Sequence, residues 1–155
     1  MRRRYLLSLA ILAACTADPD ATGPAAVISR AGEITAIRST LRPQDTDPGI
    51  TLALDDYVVR TPRGGGNGRL FVYLPSSRVG PATGEVVQAV AAGLGYHVIG
   101  LSYPNNPGLV SFCPATPDPD LCYERTRLEV ISGEDLSTSV AVDRANSIEN
   151  RLTRA

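Results

Sequence analysis

The order of apolar segments in this chain predicts an α/β fold containing a parallel strand pair, and two observations carry that expectation. Leu70-Phe71-Val72-Tyr73-Leu74 and His97-Val98-Ile99-Gly100-Leu101 are short apolar runs without alternation. Bounded by glycine and proline and holding β-branched residues, they read as strands buried on both faces. Between them Val86, Val87, Val90, Ala91 and Leu94 recur at helical spacing over Glu85–Leu94, and Gly93-Leu94-Gly95 stops the helix. Neighbouring strands joined through a crossover helix run parallel, which is the repeating unit of a doubly wound sheet.

The bulk composition bounds the rest. A chain of 155 residues supports one domain with a core. Its 43% hydrophobic and 20% charged residues fit a globular protein and not a disordered one. The net charge of −1 conceals an uneven start, because Arg2, Arg3 and Arg4 precede a remainder in which acids outnumber arginines. That distribution offers no electrostatic footprint for nucleic acid. Every basic residue is arginine and none is lysine, which excludes Schiff-base chemistry, a Ser–Lys dyad and a phosphate-loop lysine.

Arg2-Arg3-Arg4 leads into the apolar run Tyr5 to Ala14. A membrane span takes about 20 apolar residues, so this run fits the apolar region of a signal peptide instead. Leu12-Ala13-Ala14 followed by Cys15 resembles the bacterial lipobox. The resemblance implies cleavage before Cys15, diacylglycerol on its thiol and acylation of the new amino terminus. Several acyl chains on one cysteine hold a protein to a membrane durably, where one chain does so marginally. Thr16 in place of aspartate leans toward the outer membrane of the cell envelope, again by resemblance to sorting patterns.

Thr16 to Pro24 has turn formers and no apolar period, so a flexible spacer is expected. A short strand is expected near Glu33–Ser39, a loop from Arg42 to Gly49, and a strand beginning near Thr51 that includes Tyr57-Val58-Val59. Pro62-Arg63-Gly64-Gly65-Gly66-Asn67-Gly68 then lacks the Lys-Ser/Thr of a phosphate loop and opens into a strand rather than a helix. It predicts a hairpin connection in which glycine and asparagine supply positive φ.

Cys113 and Cys122 enclose eight residues rich in proline. With Cys15 committed to lipid they form an even pair in an oxidising compartment, so a Cys113–Cys122 disulfide is expected. A metal site is not, because the chain has one histidine and no Cys-x-x-Cys. Leu121 to Ser132 then predicts a helix capped by Asp120, with Arg125 and Glu129 four apart and Gly133 at its end. Finally, Ala141, Ala145, Ile148 and Leu152 repeat at helical spacing and place Arg144, Glu149, Arg151 and Arg154 on the outer side.

Several of these segments carry a family resemblance. The passage Ala91, Leu94-Gly95-Tyr96-His97-Val98-Ile99-Gly100-Leu101-Ser102-Tyr103-Pro104-Asn105, together with Asp143 to Leu152, resembles bacterial α/β-hydrolase-like proteins. The resemblance implies a partial α/β-hydrolase-type doubly wound sheet, the amino-terminal half of the domain. It makes Leu74 to Pro81 the counterpart of the loop that gives a backbone N–H to the oxyanion hole, with Ser76 and Ser77 as candidates. The glycine-rich form of that loop is replaced here by Ser76-Ser77-Arg78. The Cys113–Cys122 region would be a lid or substrate wall, and the last helix would precede the strand bearing the nucleophile.

No Gly-x-Ser-x-Gly occurs in these residues. His97, the one histidine, begins a strand and comes before any such nucleophile could, against the order Ser…Asp/Glu…His, so it reads as structural. Asp55-Asp56 and Glu134-Asp135 are adjacent and point apart, which does not make a carboxylate dyad. The expected organisation is therefore a signal peptide over 1–14, a lipidated tether and lead-in over 15–48, and an incomplete hydrolase-like domain over 49–155. The expected partners are a membrane, through Cys15, and an acyl or ester substrate once the missing triad is supplied; no cofactor is implied. The alternative is a non-catalytic envelope lipoprotein that binds a ligand or partner.

Overall fold

The computed structural model describes residues 36–155. The signal sequence, Cys15, the spacer and the first residues of the strand expected from Glu33 lie outside the described residues.

Four strands form one mixed sheet: β1 (Ala36–Leu41), β2 (Tyr57–Pro62), β3 (Leu70–Tyr73) and β4 (His97–Gly100), in the order β1-β2-β4-β3. β1 pairs antiparallel with β2, and β2 antiparallel with β4. β3 and β4 are parallel, with Leu70 opposite His97 and Tyr73 opposite Gly100. The expected strand–helix–strand unit is thus present, bridged by a helix over Glu85–Gly93. β1 lies inside the stretch read as lead-in, so the sheet begins before residue 49.

Several local expectations change in the structure. The glycine cluster is not a hairpin, because β4 lies between β2 and β3. Gly64, Gly65, Gly66 and Gly68 do take positive φ, but the segment crosses to the start of β4. Asn67 ties it there, donating its N–H to Gly95 O at 2.8 Å and its side-chain amide to Leu94 O at 3.2 Å. The loop from Arg42 contains a single helical turn, α1 (Pro43–Thr46), begun by a proline whose missing N–H would be unpaired there in any case. The strand expected from Thr51 starts only at Tyr57. The N–H groups of Thr51 and Leu52 donate to Asn146 Oδ1, so a side chain and not a neighbouring strand takes them.

The helix Glu85–Gly93, α2, is turned away from the expected face, keeping only Ala91 of it buried. Gln88, Ala91, Ala92 and Gly93 are buried, while Val86 is 72% and the following Leu94 58% exposed. Its small residues let the backbone approach the sheet closely, and packing at short distance outweighs the side-chain hydropathy that the periodicity reads. β3 also departs from a doubly buried strand: Leu70 is 58% exposed and the outer edge of the strand has no neighbour among the described residues.

On the other face lie α3 (Pro119–Ser132) and α4 (Ile148–Arg154). Asp118, not Asp120, caps α3, accepting the Leu121 N–H at 3.0 Å, because Pro119 occupies the first helical position. Gly133 ends α3 in the left-handed region with φ of 76°, as expected. Glu129 does not pair with Arg125. Its buried carboxylate accepts the backbone N–H groups of Leu136, Ser137 and Val142 at 2.7–3.1 Å, which holds residues 136–142 against the helix. The final helix is shorter than its periodicity predicts. Asp143 and Ser147 each cap a new turn, so Ala141 and Ala145 precede it. The Cys113–Cys122 disulfide is formed and closes the proline-rich loop.

The sheet is packed on both sides. Tyr57, Ile99 and Leu101 meet Val130, Val142 and Ile148 on the α3/α4 face, and Val98 meets Ala91 and Ala92 beneath α2. Burial of these apolar side chains is the dominant favourable term, at about 25 cal/mol per Å². Both clusters bracket the inner strand β4, whose carboxyl end opens into the cleft described next.

Candidate functional site

Parallel strands β3 and β4 end side by side, and their exit loops diverge there, where open α/β sheets receive ligands. A cleft of about 360 Å³ lies at this point. Its walls come from three separated segments: Leu52 to Asp55, Arg78 and Val79 after β3, and Ser102 to Asn106 after β4.

Asn105 joins two of these walls. Its side-chain amide donates to Ser76 O at 2.8 Å and Val79 O at 3.0 Å, and its own carbonyl accepts the Arg78 N–H at 3.3 Å. The Tyr103 hydroxyl donates to Pro75 O at 2.8 Å. Tyr103 is half-buried, and burial pushes its phenol above the usual range, reinforced by the neighbouring Tyr73. The loop after β3 is therefore fixed to the loop after β4 before any ligand arrives. Gly80 lets Asp55 lie against this loop, because a Cβ there would stand 2.8 Å from Asp55 Oδ2.

The third wall is held from below by Arg151, which is fully buried. Its guanidinium donates to the carbonyls of Leu52, Ala53 (3.2 Å), Ser102 (3.1 Å) and Asn146 (3.0 Å). None of these partners is an acid, and burial pushes the Arg151 pKa below its usual range. Ser102 adds a second donor to Ala53 O at 2.7 Å. Together these bonds hold Ala53 at φ of 47°, a region few non-glycine residues enter. Arg78 is the other described non-glycine residue at positive φ, at 68°. Both strained residues line the one cleft. Strain of this kind costs on the order of 1–3 kcal/mol per residue and gathers at functional sites.

Ser76 and Ser77 are exposed at the mouth of the loop but do not line the cleft; Arg78 and Val79 do. The Pro75 and Ser76 carbonyls aim at Tyr103 and Asn105, and a trans peptide places the following N–H on the opposite side. The N–H groups of Ser76 and Ser77 thus point away from those two cleft residues. His97 lies at the amino end of β4, the end of the sheet away from the cleft, beside Gly66. Of the adjacent acid pairs, Asp55 lines the cleft and Asp56 does not. No group of three or more metal-ligating side chains occurs among the described residues.

Arg151 was not legible as part of this site. Its helical position assigns it to the outer face, and only the convergence of residues 52, 53 and 102 on one point gives it acceptors inside. Asn105 had a weak signal, as a polar residue following a proline that ends the strand.

Comparison with protein-family models, with curated proteins and with solved structures finds no match for this chain. The fold is an α/β arrangement, a mixed sheet with helices on both faces and a ligand-sized cleft at the carboxyl ends of its parallel strands.

Proposed function

We propose that this chain is the amino-terminal part of a membrane-tethered α/β-hydrolase-like protein of esterase type. Lipid on Cys15 anchors it to the bacterial cell envelope, on the outer-membrane side of the sorting pattern. The nucleophilic serine, acid and histidine come from polypeptide beyond these 155 residues, and the chain alone is inactive. The observation that carries the reading is the parallel crossover from β3 through α2 to β4, with β4 inserted between β3 and the antiparallel β2. That order is the one a hydrolase-type sheet has on its amino-terminal side. The edge of β3, which has no neighbour among the described residues, would accept the nucleophile-bearing strand. Ser76 and Ser77 remain the oxyanion-loop candidates of this reading, and their N–H groups would need to turn when that strand docks.

The reading is tested by the coding DNA past Ala155 and by ester turnover. A continuing or frameshifted frame that encodes Gly-x-Ser-x-Gly supports it, and a stop with no such sequence nearby overturns it. Serine-dependent cleavage of a short-chain nitrophenyl ester by these residues alone would refute the inactivity. Radiolabelled palmitate should enter the wild-type protein and not the Cys15→Ala variant.

One observation favours the second reading, a non-catalytic envelope lipoprotein that binds a ligand. Among the described residues, both non-glycine residues in strained conformation line one cleft, whose walls are already tied to one another by hydrogen bonds.

A further inference from the structure

We propose that the cleft between Asp55 and Arg78 binds a small zwitterion, a molecule carrying both an ammonium and a carboxylate, of the size of a dipeptide. Most neutral polar side chains of the cleft are already used. The Tyr103 hydroxyl, the Asn105 amide and the Ser102 hydroxyl all donate to neighbouring backbone carbonyls, and the Asn106 amide is left as a neutral group at the exposed rim. Two charged side chains keep their capacity. Asp55 and Arg78 both line the cleft, and neither is in an ion pair, with each other or with another described residue. Arg78 makes one side-chain hydrogen bond, from Nη2 to Ser111 Oγ at 3.0 Å, which orients the guanidinium and leaves its other donors free.

An unpaired carboxylate and an unpaired guanidinium on one cleft favour a ligand that carries both charges, because a ligand of single charge meets one group and leaves the other facing solvent without a charged partner. A neutral ligand would leave both so. A zwitterion meets each with a charge-assisted hydrogen bond, bidentate at arginine. The cleft volume of about 360 Å³ lies at the lower end of small-molecule sites, which suits a ligand of one or two residues. Both strained positions frame it: Ala53 is two residues from Asp55 and Arg78 is itself strained, so the backbone conformation sets where the two charges stand. This inference uses the cleft of the hydrolase reading, as the place that orients the substrate, but does not depend on its chemistry.

The test is NMR titration of the full 155-residue chain with alanyl-alanine, N-acetyl-alanyl-alanine and alanyl-alanine amide. Alanyl-alanine should shift the amide resonances of Arg78 and of residues 102–106 saturably. Removing either charge from the probe should weaken binding about tenfold, the loss of one charge-assisted hydrogen bond. In Asp55→Asn the penalty for N-acetylation should vanish while that for the amide persists, and in Arg78→Gln the pattern should reverse. Both side chains are exposed, so these variants keep the fold. Absence of saturable shifts in the cleft, equal affinity for the three probes, or penalties that survive both substitutions would overturn the proposal. Any of those results leaves the hydrolase reading to its own test, the reading frame past Ala155.

Discussion

Replacing Arg151 by methionine tests most directly how this molecule is held together. The side chain is fully buried and donates to carbonyls from three segments that are far apart in sequence: residues 52 and 53, residue 102, and residue 146. Methionine fills much of the volume and removes a buried charge that has no acidic partner, which taken alone would stabilise the fold. The acceptors remain, however. Ala53 O keeps the Ser102 hydroxyl, but the carbonyls of Leu52, Ser102 and Asn146 lose this donor. An acceptor left buried without a partner costs about 1–3 kcal/mol, and partial hydration near the cleft brings each toward the lower end. The relief of desolvation offsets part of that sum, so a net destabilisation of about 2–4 kcal/mol is expected. For a fold of this size that lowers the melting temperature by about 10 °C, read by circular dichroism with a urea titration as a second measure. Ser102→Ala should be non-additive with it, because both donate to Ala53 O. A midpoint for Arg151→Met equal to or above the wild type would refute the reasoning, since it would mean that the charge costs more than its hydrogen bonds return.

Three further outcomes follow from named contacts. Cys113→Ser, or reduction, should cost on the order of 2–3 kcal/mol in a urea titration, the chain-entropy value for so short a loop. Tyr57→Phe should change stability by no more than about 1 kcal/mol in either direction, because Arg151 and Thr46 stand near its buried hydroxyl but neither makes a well-aligned hydrogen bond to it; a larger loss would reveal a stronger bond. The Asn150 amide, then the Gly49 N–H, and more weakly the Arg154 charge hold the Asp47 carboxyl below its ordinary 3.8. A folded-state pKa lower than the unfolded one gives stability that is present above about pH 4 and is lost as the pH falls through the folded value. Asn150→Ala should therefore move the Asp47 pKa up toward 3.8 in an NMR pH titration and weaken that acid-side dependence. An unchanged Asp47 titration would show that Asn150 is not its main partner.

What the sequence determined by itself is what neighbouring residues decide among themselves. The runs Leu70–Leu74 and His97–Leu101, with a helical period between them, were enough for a parallel pair, because a helix laid back across the sheet returns the chain to the end at which the first strand began. Gly133 ends its helix because only local backbone conformation is involved, and two cysteines nine positions apart in a proline-rich loop met as expected. The tertiary structure decided what depends on distant segments. The insertion of β4 between β2 and β3 turned a presumed hairpin into a crossing loop, and no residue near Gly64–Gly68 encodes that. The buried face of α2 went to Ala91 and Ala92, because small residues pack more closely on the sheet than valines do, and to Gln88, whose amide finds Pro81 O and lies over Gly100; both reasons exist only once the sheet is there. Arg151 has the period of an outward residue and the environment of an inward one. Its acceptors lie up to 99 positions away, so only the assembled fold could supply them. The cleft shares that property, since its strained residues and its two charges come from residues 53–55 and from Arg78, which the loop after β4 brings together only in the assembled fold.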